Sequence, residues 1–568
     1  MIRLFAAIAI AAGVAALIWW LADRPHQVRA EWRQPLASLS FSPYRRGQSP
    51  VTKIYPSAEQ IEQDLRRLVG VTLGVRTYTS SEGAMGRLPE MAARMGLKVT
   101  LGAWLGRDAV QNDVELTALI ESANAYPEAI QRVIVGNEVM LRGDLPPDQL
   151  IAAIRRVKAA IRQPVSTADV WAFYLKNPEV VAELDYLTIH ILPFWEDEPV
   201  AIDDIEAHCV DIVELIRKTF PGKPILIGET GWPSMGRDRG PAAVNQVNQA
   251  RFVREMANIA ARHGFDYNIF EAFDTPWQAA DENSVGGAWG ILDESREAKF
   301  PMSGPVLEAP DWRQRALCSL CCGALGSLLF GWRIGKFASQ LVMALLSQIL
   351  AGLFVTTGFH CLAVSFLPWQ NYWLIVRIGL PALIMLASLA RCHDWLIDPT
   401  TALPGTPPHD DFWRGQLWQV IAAFYAIFWT ALLLLDGRYR DIPEFDFSVA
   451  VGGIILLVGL RLVLVVRQGG TMAAVSFRGL FPGRDSALTG WLAWLLPLAA
   501  AAAMASEVFA LAVGRDFIAE HRSFADKLPL LLASLVWNRE MDLWAAMLVL
   551  WSIPFIAARF RFDAETPA

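Results

Sequence analysis

The chain has 568 residues, enough for several domains, and 54% of them are hydrophobic against 19% charged. A formal net charge of −7 gives no basic surface for phosphate backbones, so nucleic acid is not an expected partner. Of the six cysteines only Cys209 precedes residue 318, which excludes an internal disulfide from the first half of the chain.

Taken in chain order, an apolar run from about 4 to 21 follows Arg3 and ends in Trp19-Trp20, an aromatic pair suited to a membrane interface. The run is long enough to cross a bilayer. No small-residue cleavage site follows closely, so residues 1–29 read as an uncleaved anchor rather than a signal peptide.

Residues 30–310 have charges throughout, like an ordinary globular domain. Strand-like apolar runs are expected at 37–41, 71–78, 98–103, 133–135, 165–167, 184–191, 225–227 and 267–270, with amphipathic stretches such as 58–68, 115–123 and 151–161 between them. Eight strands alternating with helices predict an α/β fold, a (β/α)8 TIM barrel whose working residues sit at C-terminal strand ends. Linkers are expected at 23–33 and 302–312, the second carrying Pro305 and Pro310.

Two of those strands deliver an acid to the rim: Val133-Ile134-Val135-Gly136-Asn137-Glu138 and Ile225-Leu226-Ile227-Gly228-Glu229. Two strand-end glutamates, one preceded by Asn137, suggest a carboxylate pair of the kind that cleaves glycosidic bonds. The competing reading is a surface ion-pairing role on two unrelated strands.

From 311 to 568 the sequence becomes long apolar runs joined by short loops, an all-α multi-span transmembrane domain. Spans are expected near 316–332, 338–366, 371–390, 415–435, 449–466, 488–513 and 542–558, which with the first run makes eight. Arg3, Arg333, Lys336, Arg391, Arg414, Arg467, Arg478, Arg484, Arg559 and Arg561 then fall on one side, the inside, and the barrel on the other. The opposite loops hold Arg438, Arg440, Arg515 and Arg522, together with many acids. This pattern fits a bacterial inner membrane with the barrel in the periplasm. Ionisable residues inside the spans are few, which argues against an ion-coupled transporter; Glu507 is the main exception, facing a protein contact or marking an interruption. Cys318-x-x-Cys321 with Cys322 reads as small residues packing in a membrane helix, metal or redox use being the alternative.

The stretches Gly136-Asn137-Glu138, Gly228-Glu229-Thr230-Gly231-Trp232-Pro233-Ser234 and Phe270-Glu271-Ala272-Phe273-Asp274-Thr275-Pro276-Trp277 resemble glycoside hydrolase family 17, the β-1,3-glucanase and glucanosyltransferase family of clan A. The resemblance covers about half the chain and looks most like bacterial membrane-bound members that remodel β-glucans. It implies a retaining mechanism with Glu138 as acid/base, Glu229 as nucleophile and Asn137 on the sugar 2-hydroxyl. It also implies that Arg76 steadies the nucleophile and that Glu271 belongs to the site, a structural ion pair and a buried hydrogen-bonding acid being the respective alternatives. Tyr78, which ends strand two, and His190, which follows an apolar strand, are candidates for substrate contact or for the core. Trp171, Trp195, Trp232 and Trp277 lie near strand ends, where aromatic planes can stack on sugar rings; core packing is the rival role for each.

The expected function is a membrane-bound β-glucan transglycosylase, with hydrolysis through the same covalent intermediate, or a non-catalytic glucan-binding or export scaffold, as alternatives. The sequence has no Asp-x-Asp site, no Gln-x-x-Arg-Trp run and no inside loop long enough for a nucleotide-sugar domain, so glucan is expected to come from a partner synthase. No cofactor or metal is called for, since two carboxylates suffice for this chemistry.

Overall fold

The structure, a computed structural model, describes residues 1–403, 416–436, 439–468, 477–481, 487–514, 517–518, 521 and 523–559. Of the charges that set the expected topology, Arg414, Arg438, Arg484, Arg515, Arg522 and Arg561 lie outside the described residues. The chain forms two compact units, one of Pro25–Glu308 and one of Met1–Arg24 with Ala309–Ala568.

The first unit is a closed barrel of eight parallel strands in chain order. They are β1 (Leu39–Ser40), β2 (Gly74–Arg76), β3 (Lys98–Ala103), β4 (Ile130–Asn137), β5 (Val165–Val170), β6 (Leu187–His190), β7 (Ile225–Thr230) and β8 (Asp266–Ile269). Closure is made by β1 against β8, with Leu39 opposite Ile269. Parallel strands covered on both faces need continuous apolar runs, and Val75, Val99, Leu101, Val133, Val135, Leu187, Ile189, Ile227 and Ile269 are all buried here. The helices start where the sequence supplies caps. Ser57 and Gln60 form a capping box before the helix Ala58–Leu68, and Asp108 and Asn245 accept from first-turn N–H groups of Ala109–Ala125 and Gln246–His263. Arg254, fully buried, donates to Ala30, Pro301 and Gly304 carbonyls and so ties the two ends of the unit together.

The strands differ from the sequence expectation mainly at their ends. β4 and β7 run on to Asn137 and Thr230. The ladder shifts register between Ile134 and Asn137, between Ile189 and His190, and between Ile227 and Thr230. Such irregularities re-aim side chains, and these three fall where β4, β6 and β7 present Glu138, His190 and Glu229.

Among the described residues of the second unit, eight helices are long and apolar enough to cross a membrane: Ile2–Ala22, Trp312–Gly331, Phe337–Ala363, Gln370–Ile397, Gln416–Leu435, Glu444–Arg467, Leu488–Ala512 and Arg539–Arg559. The first packs its Ala7 and Ala11 against Ala344 of the third, a small-residue contact that lets backbones approach. Buried polar groups join helices: the Trp544 indole donates to Thr430 and the Trp551 indole to Gln419. Glu507 accepts from Asn538 at 3.2 Å. Arg377 and Asp446 form a bidentate pair, at 2.9 and 3.0 Å, that the sequence reading did not single out. Cys318 and Cys321 are exposed free thiols on the helix Trp312–Gly331.

Candidate functional site

Glu138 follows Asn137, the last residue of β4, with a left-handed backbone (φ 51°), two positions after Gly136 at φ 83°. A Cβ at Gly136 would come within 2.6 Å of Val139 Cγ2, so the turn that lifts Glu138 to the rim needs glycine there. The Glu138 amide donates to Ala168 O at 2.7 Å, which fixes the turn to β5. Glu229 lies one residue before the end of β7, and its side chain is only 7% exposed.

Arg76, at the end of β2 and fully buried, organises the floor of the site. Its Nη1 donates to Glu229 Oε1 at 2.9 Å and to Gly228 O at 2.8 Å, and its Nη2 donates to Asn137 Oδ1 at 2.5 Å. Its guanidinium carbon lies 4.8 Å from the centre of the Tyr78 ring, whose hydroxyl is 2.8 Å from Ser40 Oγ. Tyr78 is thus half-buried and held within the site floor.

His190 stands between the two acids. Its Nδ1 is 2.8 Å from Glu138 Oε1, and its Nε2 is 3.6 Å from Glu229 Oε1 and 3.5 Å from Arg76 Nη2. Arginine can only donate, so a neutral His190 meets it with the Nε2 lone pair and gives its Nδ1 proton to Glu138. Burial pushes the Glu138 carboxyl up, but the hydrogen bond from His190, with the charges of Arg142 and Arg76, outweighs it and holds Glu138 below its ordinary 4.5.

One potential ligand atom from each of Glu138, His190 and Glu229 lies within 4.8 Å of the others. A cation there would face the Arg76 guanidinium, which already occupies the carboxylate of Glu229. The donor set therefore suits a carboxylate pair better than a metal.

Glu271 is fully buried beyond β8. Its Oε1 accepts from Thr275 at 2.6 Å, while Oε2 is buried without a hydrogen-bond partner. Burial raises this carboxyl well above 4.5, with Asp274 and Glu229 adding to the rise and Thr275 opposing it. The unpartnered, buried Oε2 favours the protonated form. A group protonated in the folded state contributes stability that is complete below its unfolded value and is lost as pH rises through the folded one. Glu271→Gln, which does not titrate, should lose less stability than the wild type between pH 5 and 8. The check is the urea midpoint of the barrel at each pH; parallel curves would refute a buried neutral acid.

The tryptophans divide. Trp171, Trp195 and Trp277 are half-buried, and the indole N–H groups of Trp171 and Trp277 are buried without an acceptor. Trp277 meets Tyr44 edge-on, and Trp195 lies under Arg239 at 5.1 Å. Trp232 corrects the expectation of a stacking surface: it has no exposed area, packs on Phe194 and Phe252, and donates its indole N–H to Ala243 O. The turn after β7 drives it inward, since Gly231 passes so close to Phe270 O that a Cβ would lie 2.1 Å away.

Three acidic or basic groups near the pair escaped the sequence reading. Asp169, at the end of β5, accepts from the Met140 and Val170 amides at 2.9 Å each. Burial, then the charge of Glu138, pushes it to about 6. Glu282 is pushed to about 7 by the same two causes in the same order. Arg142 donates to the Asn137 carbonyl. Asp169 carried the same signal as the two glutamates, an acid ending an apolar strand, but the expected strand stopped at Thr167.

Residues 38–290, which lie inside this barrel, match the BtgE/BtgC glycoside hydrolase domain family. The barrel is a glycosidase-type enzyme. This glycosidase domain is 29% identical over 258 residues to the glucan 1,3-beta-glucosidase of Schizosaccharomyces pombe, a match spanning 42% of this chain and 79% of that one. It is 26% identical over 261 residues to the probable family 17 glucosidase SCW10 of Saccharomyces cerevisiae, spanning 45% of this chain and 64% of that protein. Among solved structures, the beta-1,3-glucanosyltransferase from Rhizomucor miehei aligns at 28% identity, covering 47% of this chain and 98% of that one with a TM-score of 0.42.

Proposed function

We propose that this glycosidase domain is a retaining β-1,3-glucan transglycosylase, held at a bacterial inner membrane by the helical unit and working in the periplasm on glucan from a partner synthase. The observation that carries the mechanism is the spacing of the two acids, whose facing carboxylate oxygens lie within 4.8 Å of each other. Retaining enzymes keep their carboxyl groups about 5–5.5 Å apart, whereas inverting ones need roughly 6.5–9.5 Å to admit a water.

In this reading Glu229 attacks the anomeric carbon while Glu138 gives a proton to the departing oxygen. The sugar is then held as an ester on Glu229. In the second half Glu138 takes the proton of an incoming hydroxyl, whose oxygen displaces Glu229. The lowered carboxyl of Glu138 suits the second half, where it must be a base. For the first half Glu138 must itself be protonated, and the proton fits on Oε2 while Oε1 accepts from His190 Nδ1 at 2.8 Å. Asn137, whose Oδ1 accepts from Arg76, keeps its amide N–H for the 2-hydroxyl of the same sugar. Tyr78, Trp171, Trp195 and Trp277 supply the half-buried aromatic walls.

The β-1,3 linkage rests on the named relatives, and the location rests on the eight apolar helices with the charge pattern of their loops. Mass spectrometry of products from the full-length protein and defined β-1,3-gluco-oligosaccharides tests the reading, with Glu229→Gln as control. Products longer than the donor are expected. Only shorter ones would make the enzyme a hydrolase, and none at all would remove the β-1,3 assignment.

A further inference from the structure

We propose that Trp104, backed by Arg142, is the platform on which the accepting sugar stacks; this rests on the transglycosylase reading and adds to it the residue that decides what receives the glycosyl group. Trp104 follows the last residue of β3, and the neighbouring strand β4 carries Glu138: Ala103 pairs with Val135, three residues before that acid. Glu229 belongs to β7, across the barrel from β3. In a retaining site the leaving sugar departs past the acid, and the acceptor takes its place there. An aromatic face beside Glu138 and opposite Glu229 therefore serves the acceptor rather than the donor.

Trp104 is not a stray surface residue. It is 39% exposed, yet fixed from two sides. Its backbone N–H donates to the buried carboxylate of Glu115 at 3.3 Å, which also gathers the Thr79 hydroxyl and the Ser80 and Ser81 amides. The Arg142 guanidinium lies 4.1 Å from the centre of the Trp104 ring. Arg142 is itself pinned, donating to Asp144 Oδ2 at 2.7 Å, to Leu105 O at 2.7 Å and to the carbonyl of Asn137. An indole held by a cation below is rigid before any ligand arrives, so stacking costs little further ordering. The same guanidinium touches the residue next to Glu138, which locks the platform to the acid's backbone.

The step it serves is balanced. The acceptor hydroxyl oxygen bonds to the anomeric carbon, the ester bond to Glu229 breaks and returns a carboxylate, and the hydroxyl proton goes to Glu138. Water competes for the same intermediate, so the ratio of transfer to hydrolysis reports acceptor binding and is independent of how much enzyme is active.

The test uses full-length protein, an aryl β-laminaribioside donor and added laminaribiose, with phenol release and the ratio of elongated to hydrolysed product read together. Trp104→Ala should cut the ratio about tenfold at low laminaribiose and raise the half-saturating laminaribiose concentration to match, while Trp104→Phe recovers most of it. An unchanged ratio in Trp104→Ala, with phenol still released by the wild type, overturns the platform alone. If Trp104→Ala does not fold, Trp104→Leu is compared with Trp104→Phe, and equal ratios overturn the proposal. A wild type that releases no phenol sinks the retaining-enzyme reading, and the platform with it.

Discussion

Glu229→Gln should lower turnover of β-1,3-gluco-oligosaccharides by on the order of 10⁴-fold or more, the scale seen when one member of a catalytic unit is removed. The amide fills the same space but cannot form the ester. It also replaces an ion pair with Arg76 Nη1, 2.9 Å in the native site, by a weaker bond from the guanidinium to a neutral amide oxygen. Glu138→Ala should behave differently, and the difference assigns the roles. With a sugar leaving group it should cost roughly 10²–10⁴-fold, the usual worth of general acid catalysis. With an activated aryl leaving group the first half no longer needs the proton, so the ester on Glu229 should accumulate. Azide, which needs no base, should then restore turnover to Glu138→Ala and leave Glu229→Gln dead. Measured activity above about 1% in Glu229→Gln, or azide rescue of that variant, would sink the assignment of nucleophile and acid.

The two acids were legible in the sequence because each ends an apolar run, and a charge cannot remain inside a barrel wall. Arg76 was legible for the same reason at the end of β2. What the sequence could not supply is direction. Trp232 and Trp195 each follow a strand, yet the close pass of Gly231 against Phe270 O turns Trp232 into the core, while Trp195 stays half-buried. His190 stood equally for core and site. Only the register shift at the end of β6 points its two nitrogens at two different carboxylates. Trp104 was passed over because its value lies in Arg142, 38 positions later and on the far side of β4. The long apolar helices were readable from length and hydropathy, but the Arg377–Asp446 pair was not, since its partners are 69 residues apart.

Arg76→Met should destabilise the barrel by about 3–5 kcal/mol, because it leaves Glu229 as an uncompensated charge in a site where both side chains are buried. The pair itself is weaker evidence for stability than this cost suggests, since much of the loss is the stranded carboxylate rather than the attraction. A double-mutant cycle separates the two. Glu229→Gln in the Arg76→Met background removes the stranded charge, so the double variant should be more stable than Arg76→Met alone and the two changes should fall short of additive by about 1–3 kcal/mol. Arg76→Lys keeps the charge but replaces a planar fork with a single ammonium. It cannot reach Glu229, Gly228 O and Asn137 in the native geometry at once. Stability should therefore recover further than activity, with the turnover defect persisting because Asn137 is no longer held. Urea unfolding of the full-length protein in detergent, read by protease cleavage within the Pro25–Glu308 unit, gives the stabilities alongside steady-state kinetics. Strict additivity in the cycle would mean that Arg76 and Glu229 do not act as one buried unit, and full activity in Arg76→Lys would mean that the fork contributes charge and nothing more.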